Sequence, residues 1–154
     1  MRALVLEKPA PIETDPLLLC DLPLPQISEE EVLIRIRACG VCRTDLHIVE
    51  EEIPHHLLPL IPGHQIVGVV EEVGEKVKDL SPGELVGVPW LNRVCGRCRF
   101  CQDGRENLCE SALFTGYDVL GGYAEYVATH QEAVYKLPEG YKDEELAPLL
   151  CGGV

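Results

Sequence analysis

The sequence predicts a mostly β domain with a few short helices. Short runs rich in Val, Ile and Leu recur along the chain, and Gly68, Gly74, Gly83 and Gly87 punctuate the central part. Several short strands at such spacing favour a barrel or a sandwich over a helical bundle. At 154 residues the chain is long enough for one domain with a hydrophobic core of its own.

Alternation and β-branched content predict the strands, and turn residues separate them. In order, the predicted strands are Met1–Leu6, Leu17–Leu22, Val32–Ala38, Val67–Val73, Leu85–Val88, Gly121–Val127 and Ala133–Leu137. A helix of one or two turns is predicted from Cys42 to about Glu50. A second helix is predicted to begin near Asp143, because the acidic run there favours the positive end of a helix dipole.

The net charge and the lengths of the apolar runs limit which partners and which cellular compartment we expect. The formal net charge of −13 argues against nucleic acid and against an anionic membrane surface. The apolar run Met1–Leu6 is too short for a signal peptide, and no stretch approaches the roughly 20 apolar residues of a membrane span. We therefore expect a cytoplasmic protein, in which the eight cysteines stay reduced and serve as ligands rather than disulfide partners.

The strongest local signal is a group of four cysteines separated by gaps of two, two and seven residues: Cys95, Cys98, Cys101 and Cys109. Four thiolates around one ion are the closed coordination of structural zinc. An iron–sulfur cluster or a redox pair is the alternative, although the bacterial cluster motif closes after three residues and a proline. We expect a zinc lobe over residues 90–112 that folds because the metal supplies the free energy.

A second candidate metal site is spread along the chain. Cys42 on a short turn and His64 after Pro62-Gly63 supply one thiolate and one imidazole. A catalytic zinc with an open position needs three protein ligands, and Cys151 is the candidate for the third. Taken singly, each of these residues also fits an ordinary buried thiol or a hydrogen-bonded histidine.

Several motifs occur here in the order seen in one enzyme family: Gly40-Val-Cys-Arg-Thr-Asp-Leu-His47, Pro62-Gly-His-x-x-x-Gly-x-Val70 with Gly74 and Val77 beyond, the four-cysteine lobe, Gly121-Gly-Tyr-Ala-Glu-Tyr126 and Ala147-Pro-Leu-Leu-Cys-Gly-Gly153. Together they resemble the zinc-dependent alcohol dehydrogenases of the medium-chain dehydrogenase/reductase family, and the likeness runs from Met1 to Val154. The resemblance implies a GroES-like, partly open β-barrel. It also implies oxidation of alcohols to aldehydes or ketones by hydride transfer to NAD or NADP.

The resemblance assigns roles to individual residues. It implies two zinc ions, a catalytic one on Cys42, His64 and Cys151 and a structural one on the four-cysteine lobe. Thr44 and His47 match the relay that carries the alcohol proton to solvent, and Thr44 alone would also suit a helix cap. Three further positions match residues around that site: Arg43 the contact with the cofactor pyrophosphate, Asp45 the carboxylate that orients the ligand histidine, and Trp90 a pocket wall that suggests a small alcohol.

One departure from the family pattern lies beside the histidine ligand. Gln65 stands where the family has glutamate, so a negative charge near the metal is lost. We expect the zinc to be more electropositive and turnover to change, while zinc binding survives.

The second departure concerns the cofactor. No Gly-x-Gly-x-x-Gly motif follows a strand, so we expect the nucleotide-binding Rossmann half to be absent and residues 1–154 to be inactive alone. The face that would contact that half should be exposed, which makes self-association or a partner plausible. The alternatives are a stand-alone zinc-binding or interaction module, and a half-enzyme completed by a separate nucleotide-binding chain. Cys20 and Cys39 are assigned to packing, and no role is predicted for His55-His56.

Overall fold

The computed structural model describes residues 1–54 and 57–152, so His55-His56 lie outside the described part. The predicted mostly β class is confirmed. The strands are β1 Arg2–Leu6, β2 Leu17–Asp21, β3 Glu31–Gly40, β4 Gln65–Val73, β5 Leu85–Val88, β6 Leu91–Arg93, β7 Leu113–Phe114, β8 Tyr126–His130 and β9 Tyr135–Lys136. The helices are α1 Arg43–Val49, α2 Arg99–Gln102 and α3 Asp143–Leu146, and 3₁₀ turns cover Ile12–Thr14, Glu106–Leu108, Gln131–Ala133 and Ala147–Leu150.

The described strands form three open sheets rather than a closed barrel. The largest is antiparallel with the order β8-β3-β4-β5-β9, and β1–β2 and β6–β7 form two-stranded sheets. Apolar side chains of β3, β4, β5 and β8 form the main core, with Val32, Ile34, Ile66 and Val86 fully buried. No helix among the described residues is both long and apolar enough to cross a membrane.

The predicted strand at Gly121–Val127 is wrong in its first half, because β8 begins only at Tyr126. Residues 123–125 only bridge to β1, through Ala124 opposite Ala3, and the two glycines before them bond to a loop. The N–H groups of Gly121 and Gly122 donate to the carbonyl oxygens of Ile61 and Gly63, at 2.6 and 2.8 Å. This pairing ties the glycine segment to the loop that carries His64.

Two further differences have similar local causes. The strand predicted at Ala133–Leu137 is reduced to the two residues of β9, since a 3₁₀ turn occupies its start. The sequence did not predict β6, β7 or α2, which lie in or beside the polar four-cysteine segment. Such short elements carry too few apolar residues to show a period.

Both predicted helices are present near the expected positions. Helix α1 begins directly after Cys42, whose backbone N–H donates to Asp45 Oδ2 at 2.8 Å. Helix α3 begins at Asp143, and an ion pair of 2.7 Å between Arg37 and Asp143 joins it to β3. The 3₁₀ turn that follows α3 leads directly to Cys151.

Candidate metal centres

The four-cysteine segment connects β6 to β7 and gathers its thiols at one point. The sulfur atoms of Cys95, Cys98, Cys101 and Cys109 all lie within 4.8 Å of one another. Cys95 and Cys101 are 3.9 Å apart, and Cys98 and Cys101 are 3.5 Å apart. Zinc–sulfur bonds of about 2.3 Å in a tetrahedron place the sulfurs about 3.8 Å apart. The observed spacing therefore fits one zinc ion.

Hydrogen bonding and burial shift the pKa values of two of these thiols in opposite directions. Backbone N–H groups of Arg97 and Cys98 lower the pKa of Cys95 to about 6, and the Cys98 N–H lies 3.4 Å from the Cys95 sulfur. Desolvation, reinforced by hydrogen bonds with Cys98 and Cys109, raises the pKa of Cys101 to about 12. Thiolates so close together repel one another, so a divalent cation would favour ionisation of all four.

The base of the lobe is tied to the main sheet by a buried polar group. The side-chain amide of Asn92 in β6 donates to the hydroxyls of Thr115 and Thr129 at 3.1 and 2.9 Å. Within the lobe, the guanidinium groups of Arg99 and Arg105 lie 4.5 and 5.4 Å from the ring centre of Phe100. The Asn92 contact with Thr115 joins the two ends of the segment, whereas the arginine contacts with Phe100 lie in its middle.

Three distant segments bring the second set of candidate ligands together. Cys42 precedes α1, His64 precedes β4, and Cys151 follows the last 3₁₀ turn. Their ligand atoms lie within 4.8 Å of one another, and the two sulfurs are 4.0 Å apart. The structure thus assembles the three residues that the sequence analysis placed in one site.

Asp45 joins two of these segments. Its carboxylate is buried, and it accepts hydrogen bonds from the backbone N–H of Cys42 at 2.8 Å and of Gly63 at 3.1 Å. Its Oδ1 also lies 3.1 Å from His64 Nδ1. The orienting contact to histidine was predicted, whereas the two backbone contacts were not.

The other ring nitrogen of His64 shows that the site suits a metal. His64 is fully buried, and its Nε2 has no hydrogen-bond partner among the described residues. A buried polar atom without a partner costs about 1 to 3 kcal/mol. Because Asp45 holds Nδ1, Nε2 is the nitrogen left to bind a cation beside two thiols, which is the ligand set of zinc.

Each of the three groups has a pKa that is shifted by its surroundings. Burial would lower the pKa of His64, but the hydrogen bond that its Nδ1 donates to Asp45, together with the nearby Cys42, outweighs burial and raises it. Burial raises the pKa of Cys42, yet hydrogen bonds with the backbone and side chain of Thr44 outweigh that effect and lower it. Burial and the charge of Cys42 raise the pKa of Cys151. Cys42 is therefore the easier of the two thiols to ionise.

Close backbone approaches fix the loop that carries His64. Gly63 has a φ of +94°, a conformation that favours glycine. A Cβ on Gly121 would lie 2.2 Å from the carbonyl oxygen of Gly63, so the two loops meet at van der Waals distance only because residue 121 has no side chain.

The 3₁₀ turn Ala147–Leu150 packs on the main sheet and thereby positions Cys151 at the site. Leu146 and Ala147 are buried against Val67 of β4. The methyl groups of Leu150 lie over Gly87 of β5, where an added Cβ would approach them to 2.8 Å. The residue after Leu150 is thereby directed toward Cys42.

The predicted relay residues both lie on α1. Thr44 Oγ1 is 3.8 Å from the sulfur of Cys42, within hydrogen-bond range for sulfur. His47 is three residues further on, so it shares a helix face with Thr44. Nδ1 of His47 contacts the carboxylate of Glu52, a partner that the sequence analysis did not identify. Glu52 lies beyond the helix, and no spacing rule links it to His47.

The remaining predicted residues surround the site at different distances. Arg43 is exposed at the first position of α1, and no described contact joins it to the three ligands. Trp90 meets the ring of His64 edge-on at 4.9 Å between centroids and stacks on Phe114 at 4.8 Å. Gln65 is buried at the start of β4.

Tyr123 also lies at the site, although the sequence analysis placed it in a strand. Its ring lies against Gly63, and its buried hydroxyl has no hydrogen-bond partner among the described residues. Burial raises the pKa of Tyr123, and the Asp45 charge adds to that effect. Burial likewise raises the pKa of Cys39 to about 12, which agrees with a packing role.

Comparisons with known proteins point to one family. The family model of the alcohol dehydrogenase GroES-like domain matches residues 28–139. A probable alcohol dehydrogenase of Mycobacterium tuberculosis is 44% identical over the whole chain, which covers 46% of that protein. An alcohol dehydrogenase of Geobacillus stearothermophilus is 50% identical over 90% of the chain, which covers 42% of that protein.

A solved structure shows the same architecture. The crystal structure of a putative zinc-binding dehydrogenase from Sinorhizobium meliloti bound to NADP superposes with a TM-score of 0.83 and 31% identity, over 96% of this chain and 41% of that one. The chain thus spans less than half the length of these relatives. By the match of its sequence and of its fold, the chain belongs to the alcohol dehydrogenase GroES-like domain family.

Proposed function

We propose that residues 1–154 form the catalytic domain of a zinc-dependent alcohol dehydrogenase, with one catalytic and one structural zinc. The observation that carries the proposal is the buried Nε2 of His64, which has no described partner and lies beside the thiols of Cys42 and Cys151. The four-cysteine lobe would hold the structural ion. Six thiolate ligands require a reducing compartment, which fits the cytoplasm.

When bound, the metal would polarise the oxygen of an alcohol, and a nicotinamide cofactor would accept the hydride. The Thr44 hydroxyl, beside Cys42, would accept the alcohol proton and pass it to His47. Glu52 engages Nδ1 of His47, so Nε2 is the nitrogen that would exchange this proton. The indole of Trp90 against His64 limits the space there, which favours small alcohols and aldehydes.

The cofactor would bind largely outside this chain. Arg43 is exposed next to Cys42 and is suited to a pyrophosphate, since guanidinium groups bind phosphate oxygens in a bidentate way. Val41 and Leu149 are 81% and 51% exposed, and each lies within two residues of a proposed cysteine ligand. Exposed apolar side chains at this place support a nucleotide-binding half that covers the open side of the site.

A chimeric enzyme tests the proposal. The corresponding catalytic half of the Geobacillus stearothermophilus enzyme is replaced by residues 1–154, and alcohol-dependent reduction of NAD and of NADP is measured. We expect turnover that Cys42→Ser abolishes and that Cys20→Ser, outside both cysteine clusters, leaves unchanged. A folded, zinc-loaded chimera without turnover would refute the assignment.

A further inference from the structure

A buried group of polar side chains lies next to Trp90 and has no task in the proposed function. Asn92, Thr115 and Thr129 are 6%, 1% and 4% exposed. The side-chain amide of Asn92 donates to both hydroxyls, at 3.1 Å to Thr115 and at 2.9 Å to Thr129. Burial of such groups is costly unless their hydrogen bonds are made, so the partners of each group show what it holds in place.

Thr115 bonds to both peptide groups that flank the α-carbon of Trp90. Its hydroxyl donates to the carbonyl oxygen of Pro89 at 2.8 Å, and its backbone N–H donates to the carbonyl oxygen of Trp90 at 2.9 Å. A threonine hydroxyl has one proton to donate and can accept as well. Because the Asn92 amide is a donor to this oxygen, the hydroxyl proton is left for Pro89.

The indole that these bonds hold lies between the lobe and the three-ligand site. It stacks on Phe114, the residue before Thr115, with 4.8 Å between the ring centres and 18° between the planes. It meets the ring of His64 edge-on at 4.9 Å. Trp90 is only half-buried, so part of the indole is accessible to a molecule bound at the site.

We propose that Thr115 is a positioning residue for the selection of alcohols: its hydroxyl holds the backbone at Pro89, so that the indole of Trp90 stays against His64 as a wall of the substrate site. The role in selection rests on the proposed function, because it requires an alcohol at this site. The placement of the indole does not depend on that function.

The placement of the indole can be measured directly, because Trp90 is the only tryptophan in the sequence. Thr115→Val keeps the shape of the side chain and removes the hydroxyl. In the chain with zinc present, this variant should shift the tryptophan emission to longer wavelength and increase its quenching by acrylamide, since the indole would move away from His64 toward solvent. Thr115→Ser keeps the hydroxyl and should restore the wild-type emission and quenching.

Thr129→Val is the matched control. It removes the same kind of hydroxyl from the other acceptor of Asn92, but no described hydrogen bond joins Thr129 to Pro89 or Trp90. Both valine variants leave the buried amide of Asn92 with one acceptor fewer, so both should lose stability in urea denaturation. Only Thr115→Val should change the emission of Trp90, which separates positioning from a general loss of stability.

Selection is measured in the chimera with the Geobacillus stearothermophilus enzyme, as the ratio of kcat/KM for benzyl alcohol to kcat/KM for ethanol. Thr115→Val should raise this ratio about tenfold, the lower end of what one methylene group is worth in a pocket, whereas Thr115→Ser and Thr129→Val should not.

Three results would overturn the placement of the indole by Thr115: wild-type emission in Thr115→Val, an equal shift in Thr129→Val, or a serine variant that behaves like the valine variant. A shifted emission with an unchanged ratio would overturn the role in selection alone. A wild-type chimera without turnover would refute the proposed function, and the emission would still decide the placement of Trp90.

Discussion

At the scale of single residues, Asp45 matters most for the three-ligand site. One buried carboxylate accepts from two backbone N–H groups and bonds the ring of His64. The pattern Cys42-x-x-Asp45 is visible in the sequence, and the resemblance predicted the contact to histidine. The contact to Gly63 was not predictable, because it depends on how two loops eighteen residues apart meet.

Asp45→Ala should weaken metal binding at the three-ligand site about 10- to 100-fold, because it frees the ring of His64. It should also lower the free energy of unfolding by about 2 kcal/mol, since buried N–H donors lose their acceptor. Chelator competition and urea denaturation measure the two effects. Asp79→Ala, which removes an exposed carboxylate, is the matched control, and equal behaviour of the two variants would contradict the role of Asp45.

The raised pKa of His64 gives the metal-free chain a pH dependence of defined sign. The imidazolium is stabilised by Asp45 in the folded state, so its contribution is fully present below the unfolded pKa of about 6.5. That contribution is lost as pH rises through the higher folded pKa. Urea denaturation of metal-free protein across this range should show the decline, and Asp45→Ala should flatten it. A decline that persists in the variant would contradict the assignment.

At the scale of elements, the turn Ala147–Leu150 positions Cys151 by resting on β5. Gly87→Ala should displace this turn, because the new methyl group would meet Leu150 at 2.8 Å. We expect weaker metal binding at the three-ligand site and none of this effect at the four-cysteine site. Gly152→Ala is the control, since nothing lies within 4 Å of the added Cβ. Equal weakening of metal binding at the three-ligand site in both variants, or no weakening in either, would contradict this account.

The four-cysteine lobe should unfold without its metal while the large sheet persists. Its middle is mostly polar and exposed, and its four thiols, which meet at one point, bring its parts together. Chelation should therefore open the segment to trypsin at Arg97, Arg99 and Arg105, which mass spectrometry identifies. Added zinc should restore protection in the wild type but not in Cys98→Ser. Rapid cleavage of the zinc-loaded wild type at these arginines would contradict the claim that the metal keeps the lobe folded.

The elements also show why the sequence predicted some features and not others. β1, β3, β4 and β5 have long apolar runs, and their predicted bounds agree with the structure to within a few residues. The run at Gly121–Val127 failed because Gly121 and Gly122 serve a loop contact that has no periodic signature. The local sequence pattern was therefore enough to locate the strands. The contacts between loops could be found only from the folded structure.

At the scale of the whole molecule, both ligand sets were predictable as residues but not as geometry. Cysteine spacing alone indicated the lobe, and ligand chemistry together with the resemblance indicated Cys42, His64 and Cys151. The sequence could not show that the buried Nε2 of His64 lies beside two thiols without a described partner. This arrangement arises from three segments that meet only in the folded chain, and it carries the functional proposal.

Anomalous scattering at the zinc edge, from crystals of the zinc-loaded chain, tests the central claim most directly. The account predicts two peaks. One should be bound by the four cysteines of the lobe, and the other by Cys42 Sγ, His64 Nε2 and Cys151 Sγ, with a coordination position left open. A peak in the lobe alone, with no metal beside His64, would contradict the proposed catalytic site.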